Sequence, residues 1–437
     1  MSNSYKKAIE YIYNLNKYGI KLGLKNITYL LSLFDNPHLK NKVIHVAGTN
    51  GKGSTAAIIY TILQKAKFKV GLYTSPHLVS FQERIRINGE DITQEEVYSL
   101  LERLKPVIHK VANTEGYQHP TFFEVITTMA YLYFYEKNVD FTIMEVGLGG
   151  RLDATNVCQP LLSVITHIDF DHMDKLGNSL ADIAGEKGAI IKQNTPVVSA
   201  QQFPEAADII RKIVQEKEAP LYSYGDHINA TLLNSTLKGN YFNYAGIYHN
   251  INNLYLPLAG EFQIENASLA MAITELINNK GFVITKDDIV SGVRNSQWPG
   301  RFEIVREKPM VILDGAHNPN GVNQFINNLR KLIPAKKIIA VLGVFQDKDY
   351  PTIIKTIVPR VNQVILTMAD NPRATPTSVL AKEAQRYMNK ENIVETNNVT
   401  AAINKSLQIA QEDEVICITG SLYTVGEAKA YFLKRKK

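Results

Sequence analysis

The chain has 437 residues, 45% of them hydrophobic and 21% charged, and a formal net charge of +6. At roughly 100–200 residues per domain this predicts two or three domains with sizeable cores, and it excludes a disordered, collagenous or disulfide-built chain. The positive charge is scattered, which argues against nucleic-acid binding, and no run reaches the ~18 apolar residues of a membrane span.

The first twenty residues, MSNSYKKAIEYIYNLNKYGI, lack the apolar core of a signal peptide. The two cysteines, Cys158 and Cys417, sit in apolar contexts and read as buried thiols of a reducing compartment. The expectation is a soluble cytoplasmic protein without membrane or nucleic-acid partners. The basic tail, Lys434 to Lys437, reads as a solvated helix end.

In chain order, VIHVAG reads as a strand and is followed by a helix from about Gly53 to Lys65. KVGLYTS comes next, then helices near Thr93–Val111 and Thr121–Glu136. The strands DFTIMEVG and LLSVITHI, a helix near Ser179–Ile191 and TPVVSA follow. Alternating short apolar runs and helical patterns predict parallel strands with crossover helices, an α/β class. Ala230–Pro257, polar and rich in Asn and Tyr, reads as an antiparallel meander appended to that sheet; a helix from about Gln263 to Asn279 follows. NSQWPGRFE, Asn295 to Glu303, carries the only Trp and a Pro-Gly pair and reads as a boundary. Beyond it MVILDG, KKIIAVLG, NQVILTM and EVICITG alternate with helices as a second, smaller doubly wound domain. The expected division is 1–296, a larger domain with a mostly parallel sheet plus a small antiparallel one, and 297–437, a Rossmann-like α/β domain.

GTNGKGS, Gly48 to Ser54, lies between a strand and a helix, where a phosphate loop belongs. Glycines let backbone N–H groups turn around an anion, the helix start adds partial positive charge, and Lys52 adds a full one. The general pattern G-x-x-x-x-G-K-[ST] is not strictly met, because Val46 replaces its first glycine and Gly53 follows the lysine. The alternative is a glycine-rich turn with a surface lysine. Glu145 ends an apolar strand, with Arg151 and Asp153 beyond it, and Asp169, Asp171 and His172 follow the next strand. Open α/β sheets bind ligands at such carboxyl ends. A buried glutamate needs a cation, and Mg²⁺ bridging nucleotide phosphates would supply one. His172 reads either as a metal ligand or as a capping histidine.

Together GTNGKGS, TSPHL with ERIRING, EVGLGGRLDATN, DHMDKLG before IAGEKGAII, WPGRFE, LDGAHNP and TGSLYTVGEA resemble the folylpolyglutamate synthase and dihydrofolate synthase family of the Mur ligase superfamily, over about residues 20 to 430. The resemblance implies an ATP-dependent amide ligase, with 1–296 as a P-loop, Mur ligase-like ATP-binding domain and 297–437 as a glutamate ligase domain. ATP phosphorylates a substrate carboxylate, and the amine of L-glutamate attacks the acyl phosphate. It implies that Thr49, Asn50, Gly51, Lys52, Gly53, Ser54 and Thr55 cradle the phosphates. Asn266 would recognise adenine, and Arg301 and Asp314 would contact ATP from beyond the linker. Ser75 with Glu145 would bind one Mg²⁺, and Glu145 with His172 a second. Lys187 would be carbamylated, the alternative being a plain lysine pairing with phosphate or Glu186. His317 and Ser421 would hold the incoming glutamate, and Asp153 would face substrate. Lys52, Lys187 and His317 would form the catalytic set. NSQWPGR is the expected hinge of a domain closure.

Two rivals remain. A peptidoglycan ligase of the same superfamily needs an extra N-terminal domain, for which a loop starting at Gly48 leaves no room. A nucleotide-dependent switch would not need the second domain's motifs. Whether the acceptor is a reduced folate, dihydropteroate or both is open from the sequence. Folate extension is the first expectation, in a monomer.

Overall fold

A computed structural model describes residues 3–19 and 23–435. Lys436 and Lys437 of the basic tail, and Ile20 at the end of the N-terminal stretch, lie outside these residues.

The described strands form three sheets. The first contains β1 (Val43–Ala47), β2 (Val70–Tyr73), β3 (Ile85–Ile87), β4 (Glu90–Asp91), β5 (Phe141–Glu145), β6 (Pro160–Ile165), β7 (Val197–Ser199) and β8 (Leu221–Ser223). Their order is β4-β3-β2-β5-β1-β6-β7-β8. β1 lies at the centre, parallel to β5 and β6, and only β3 runs against the rest, antiparallel to both β2 and β4. β1 and β5 are buried at every residue, which is why they read as unbroken apolar runs rather than alternating ones. Their register sets Val46 opposite both Glu145 and Val164, so the carboxyl ends of three strands open on one place.

The helices begin where side chains can cap them. Thr93 with Glu96 and Thr121 with Glu124 form capping boxes at the starts of Gln94–Ala112 and Phe122–Glu136. Ser179 with Asp182 does the same for Leu180–Gly188, which ends slightly earlier than the sequence suggested. The Lys52–Lys65 helix is buried continuously from Ser54 to Tyr60. It is covered by the helices Phe262–Asn279 and Lys286–Arg294.

The meander does not extend the main sheet. β9 (Asn229–Thr236), β10 (Gly239–Ala245) and β11 (Asn250–Leu256) form an antiparallel sheet of their own. Phe242, Tyr244, Leu254 and Leu256 join the same core cluster as Leu269 and Ile273 of the Phe262–Asn279 helix. One apolar face therefore lies flat on that helix, and this geometry takes the meander away from the main sheet's edge.

The third sheet holds β12 (Glu303–Glu307), β13 (Met310–Leu313), β14 (Ile338–Leu342), β15 (Gln363–Leu366), β16 (Ile393–Glu395) and β17 (Val415–Thr419), in the order β12-β13-β17-β14-β15-β16. It is parallel except for the edge strand β12. Two apolar layers, one around Phe325 and Leu342 and one around Ile403 and Ile418, cover its faces. Cys158 and Cys417 are both buried free thiols. Among the described residues no helix is long and apolar enough to cross a membrane.

Candidate functional site

The glycine loop follows β1, and its glycines answer to their neighbours. Gly48 and Gly51 have φ of +149° and +93°. A Cβ on Gly48 would lie 1.8 Å from Thr166 Oγ1, and one on Gly51 would lie 2.3 Å from Asn266 Oδ1. The N–H groups of Thr49 and Asn50 donate to His167 O at 2.9 and 3.2 Å. These two amides therefore pin the loop to the chain beyond β6 and do not face an anion, a departure from the expected Thr49-to-Thr55 cradle. The amides opening the helix, Lys52, Gly53 and Ser54, precede its first intrahelical bond, from Thr55 N to Gly51 O at 2.9 Å. They remain available to a phosphate. Thr55 Oγ1 donates to Asn266 Oδ1 at 3.4 Å. Asn266 thus stands against the loop itself, its Nδ2 donating to Gln263 Oε1.

Two lysines converge on the loop. Lys52 Nζ donates to Gly48 O at 2.9 Å and Thr49 O at 3.1 Å. Lys187 Nζ, buried, reaches the same Gly48 O at 2.9 Å. Burial lowers the pKa of Lys52. Burial, reinforced by the Lys52 charge, pushes Lys187 down to about 7.

Glu145 ends β5 with its Oε2 accepting from Ser75 N at 3.1 Å. Burial raises its pKa, against the pull of Lys52. A buried carboxylate with a backbone N–H for company suits a divalent cation, and Ser75 stands beside it. His172 does not offer a comparable ligand: its Nε2 accepts from Lys348 Nζ at 3.2 Å, and an ammonium there repels a cation. The expected Glu145–His172 pair is thus not presented for metal. Among the described residues no group of three or more His, Cys, Asp or Glu converges as a metal cage. Mg²⁺ commonly takes only one or two protein ligands beside phosphates.

The residue that organises the centre is one the sequence reading mentioned but did not select. Asp171 pairs with Lys348 Nζ at 2.5 Å, accepts from Asn318 Nδ2 at 3.4 Å and faces His317 Nε2 at 3.7 Å. Burial raises its pKa, but His317, Lys348 and His172 together outweigh this and hold it well below the carboxylate range. Asn50 and Asn318 exchange amide hydrogen bonds, the shorter at 3.0 Å, and Asn320 donates to Asp169. Lys348, in FQDKDY between two aspartates, gave no sequence signal beyond an ordinary surface lysine. Asp171 had one, its place next to His172 just past a strand end.

On the far side of the linker, Asp314 accepts from Phe302 N and Ala316 N, each at 2.9 Å. Burial raises its pKa, opposed by the Arg301 charge. His317 Nδ1 lies 2.8 Å from Gly315 O, which can only accept, so the proton sits on Nδ1 and Nε2 is a free lone pair. Burial and then Lys348 lower its pKa to about 4, so the ring is neutral near pH 7.

Two expected substrate contacts turn out to be committed elsewhere. Asp153 accepts from Gly147 N, Leu148 N, Thr155 N and Thr155 Oγ1 at 2.5–3.1 Å, so its carboxylate builds its own loop. Ser421 Oγ accepts from Thr424 N at 3.0 Å and lies 2.8 Å from Thr424 Oγ1, which donates to Gly343 O. Ser421 is therefore occupied in capping the last helix.

The Mur ligase middle domain matches residues 46–274, and the Mur ligase glutamate ligase domain matches residues 300–422. The Bacillus subtilis dihydrofolate synthase/folylpolyglutamate synthase is 37% identical over 98% of this chain and 99% of its own length. The chain belongs to the folylpolyglutamate synthase and dihydrofolate synthase family. Members of this family are ATP-dependent ligases that join L-glutamate to folates, and this chain is one of them. Family structures superpose along its whole length. Mycobacterium tuberculosis folylpolyglutamate synthase complexed with ADP and AMPPCP matches with a TM-score of 0.91 at 30% identity, covering 98% of this chain and 99% of that one. Escherichia coli FolC in complex with DHPP and ADP matches with a TM-score of 0.88 at 28% identity, covering 100% of both.

Proposed function

We propose that this ligase extends a reduced folate by one L-glutamate through an acyl phosphate. The γ-phosphoryl group of ATP passes to the terminal carboxylate of the folate. The free amine of glutamate attacks the activated carbonyl, and the tetrahedral intermediate collapses to the amide and phosphate. The observation that carries this reading is the meeting of the loop with the glutamate ligase domain: Asn50 bonds Asn318, and Asp171 pairs with Lys348. A nucleotide switch has no use for a second domain that places charge at its phosphate loop.

In this scheme the amides of Lys52, Gly53 and Ser54 and the Lys52 ammonium hold the phosphates, with Arg301 approaching from the linker. Ser75 and Glu145 would hold Mg²⁺, and a cation there would neutralise phosphate charge between ATP and the anionic acceptor. Lys187 would carry a carbamate: burial and the Lys52 charge lower its pKa to about 7, the neutral amine would add to CO₂ with release of one proton, and the resulting anion would pair with Lys52. His317 turns Nε2 toward the incoming amine. The division at 296/297 makes NSQWPGR the hinge, and closure excludes water from the acyl phosphate. One chain contributes both halves of the site, which supports a monomer, and the free buried thiols suit the cytoplasm.

The B. subtilis relative's name includes dihydrofolate synthase, which favours dihydropteroate as a second acceptor. The test is phosphate release by the purified protein with each acceptor. Release that needs a pteridine acceptor and glutamate together is expected, and glutamate-independent turnover would favour the switch instead.

A further inference from the structure

The segment that leaves β2, residues 75–80, is tied down twice within its own domain. Ser75 N donates to Glu145 Oε2, and the N–H groups of Leu78, Val79 and Ser80 all donate to the Glu83 carboxylate at 2.8–2.9 Å. Its other side lies on the glutamate ligase domain. The Leu78 side chain packs into the apolar layer of Leu313, Ile418 and Val425, which is that domain's own core. A Cβ on Gly300 would meet Leu78 Cδ2 at 3.1 Å and Val425 Cγ1 at 3.3 Å. The Leu78 carbonyl oxygen occupies the place where a side chain at position 426 would begin: a Cβ on Gly426 would lie 1.9 Å from it. Gly426 sits inside the Leu422–Arg435 helix, where glycine is the poorest helix former after proline. Helix propensity disfavours it there, and the close approach of the Leu78 backbone accounts for it.

We propose that Leu78 and Gly426 are positioning residues, through which docking of the last helix sets the Ser75 segment for acyl-phosphate formation. This rests on the reading that Ser75 and Glu145 belong to the reacting site. The glutamate ligase domain then has two tasks: it brings the amine, and its arrival completes the half of the site that activates the acid. Activation is thereby confined to the docked state, in which the acyl phosphate is sheltered from water.

The experiment compares wild type with Gly426→Ala, Leu78→Ala and Leu78→Met in the full chain. Gly426→Ala and Leu78→Ala are expected to lower kcat with folate and glutamate by about tenfold or more. AMPPCP affinity measured without Mg²⁺ should stay within about twofold, because the loop amides do not touch this contact. Leu78→Met, close in volume, should restore most of kcat. Hydrogen exchange gives a readout that does not need turnover. In Gly426→Ala the amides of residues 75–80 should exchange faster while those of 48–51 keep their protection. Unchanged exchange at 75–80, or kcat and Mg²⁺-free nucleotide affinity falling together, would overturn the proposal. A wild type that fails to turn over folate with glutamate would overturn the activity reading instead, and the exchange result would still decide the coupling.

Discussion

Gly48 O receives two ammonium groups, from Lys52 and from Lys187, each at 2.9 Å. Like charges this close in a buried place cannot both persist, and the one more easily neutralised gives way. Lys187 is that one, at about 7. In the unfolded chain a lysine keeps its proton to about pH 10.4. Between about pH 7 and that value the unfolded state binds the extra proton, so this group makes stability rise with pH across that window and fall as pH drops toward 7. Lys187→Met should flatten that part of the profile, read by urea denaturation at several pH values. If Lys187 is also carbamylated, labelled bicarbonate should give a carbamate carbon signal that Lys187→Met lacks, and stripping CO₂ should slow turnover. A rate indifferent to CO₂, with Lys187→Ala inactive, would leave a plain lysine in the role. Motif resemblance picked out both lysines, but nothing in their spacing of over a hundred residues showed that they share one acceptor.

Strands and helices were legible where burial is complete. β1, β5 and β17 are buried throughout and stand out as apolar runs. β12 and β16 were not read, because an edge strand of sequence EIVRE and a three-residue IVE are too polar or too short to register. Between β15 and β17 the sequence reading placed a single helix, where the structure has two, Thr377–Ala384 and Val399–Ile409, on either side of β16. The linker was legible as an element, but its partner was not. Trp298 lies against the phosphate-loop helix, and a Cβ on Gly53 would come within 2.6 Å of its ring. The odd glycine after the lysine thus makes room for the linker's indole, and loop and linker become one packed unit. As Trp298 is the only tryptophan in the chain, its fluorescence reports this contact alone. AMPPCP with Mg²⁺ should change its emission. Gly53→Ala should red-shift the emission of the free protein and weaken the nucleotide response, since the added methyl expels the ring. An emission spectrum indifferent to both would show that loop and linker move independently.

At the scale of the whole molecule the site is a seam. Its two sides carry apolar cores of their own that meet at few side chains such as Leu78, so each domain's fold follows largely from its own sequence, while the seam joins polar residues far apart in the chain that periodicity cannot pair. That is why Lys348 was missed although the sheet it hangs from was not. Across the seam Asp171 and Lys348 form the most enclosed ion pair, with side chains 10% and 8% exposed. Removing one member of such a pair strands the other and is strongly destabilising, about 3–5 kcal/mol. Here the penalty falls on the docked arrangement and not on either core, because an undocked Asp171 is free to hydrate. Lys348→Met should therefore open the molecule before it unfolds it. Small-angle scattering is expected to give a larger radius of gyration than wild type, and calorimetry to resolve two transitions where docking had coupled them. Nucleotide at about a hundred times its Kd contributes roughly 2.7 kcal/mol to whichever state binds it. If the loop and the Arg301 side both grip ATP, that contribution favours docking and should recover part of the compaction. A Lys348→Met protein with the wild-type scattering curve and a single unchanged transition would mean that apolar contacts such as Leu78 against the layer of Val425 hold the domains together without the ion pair.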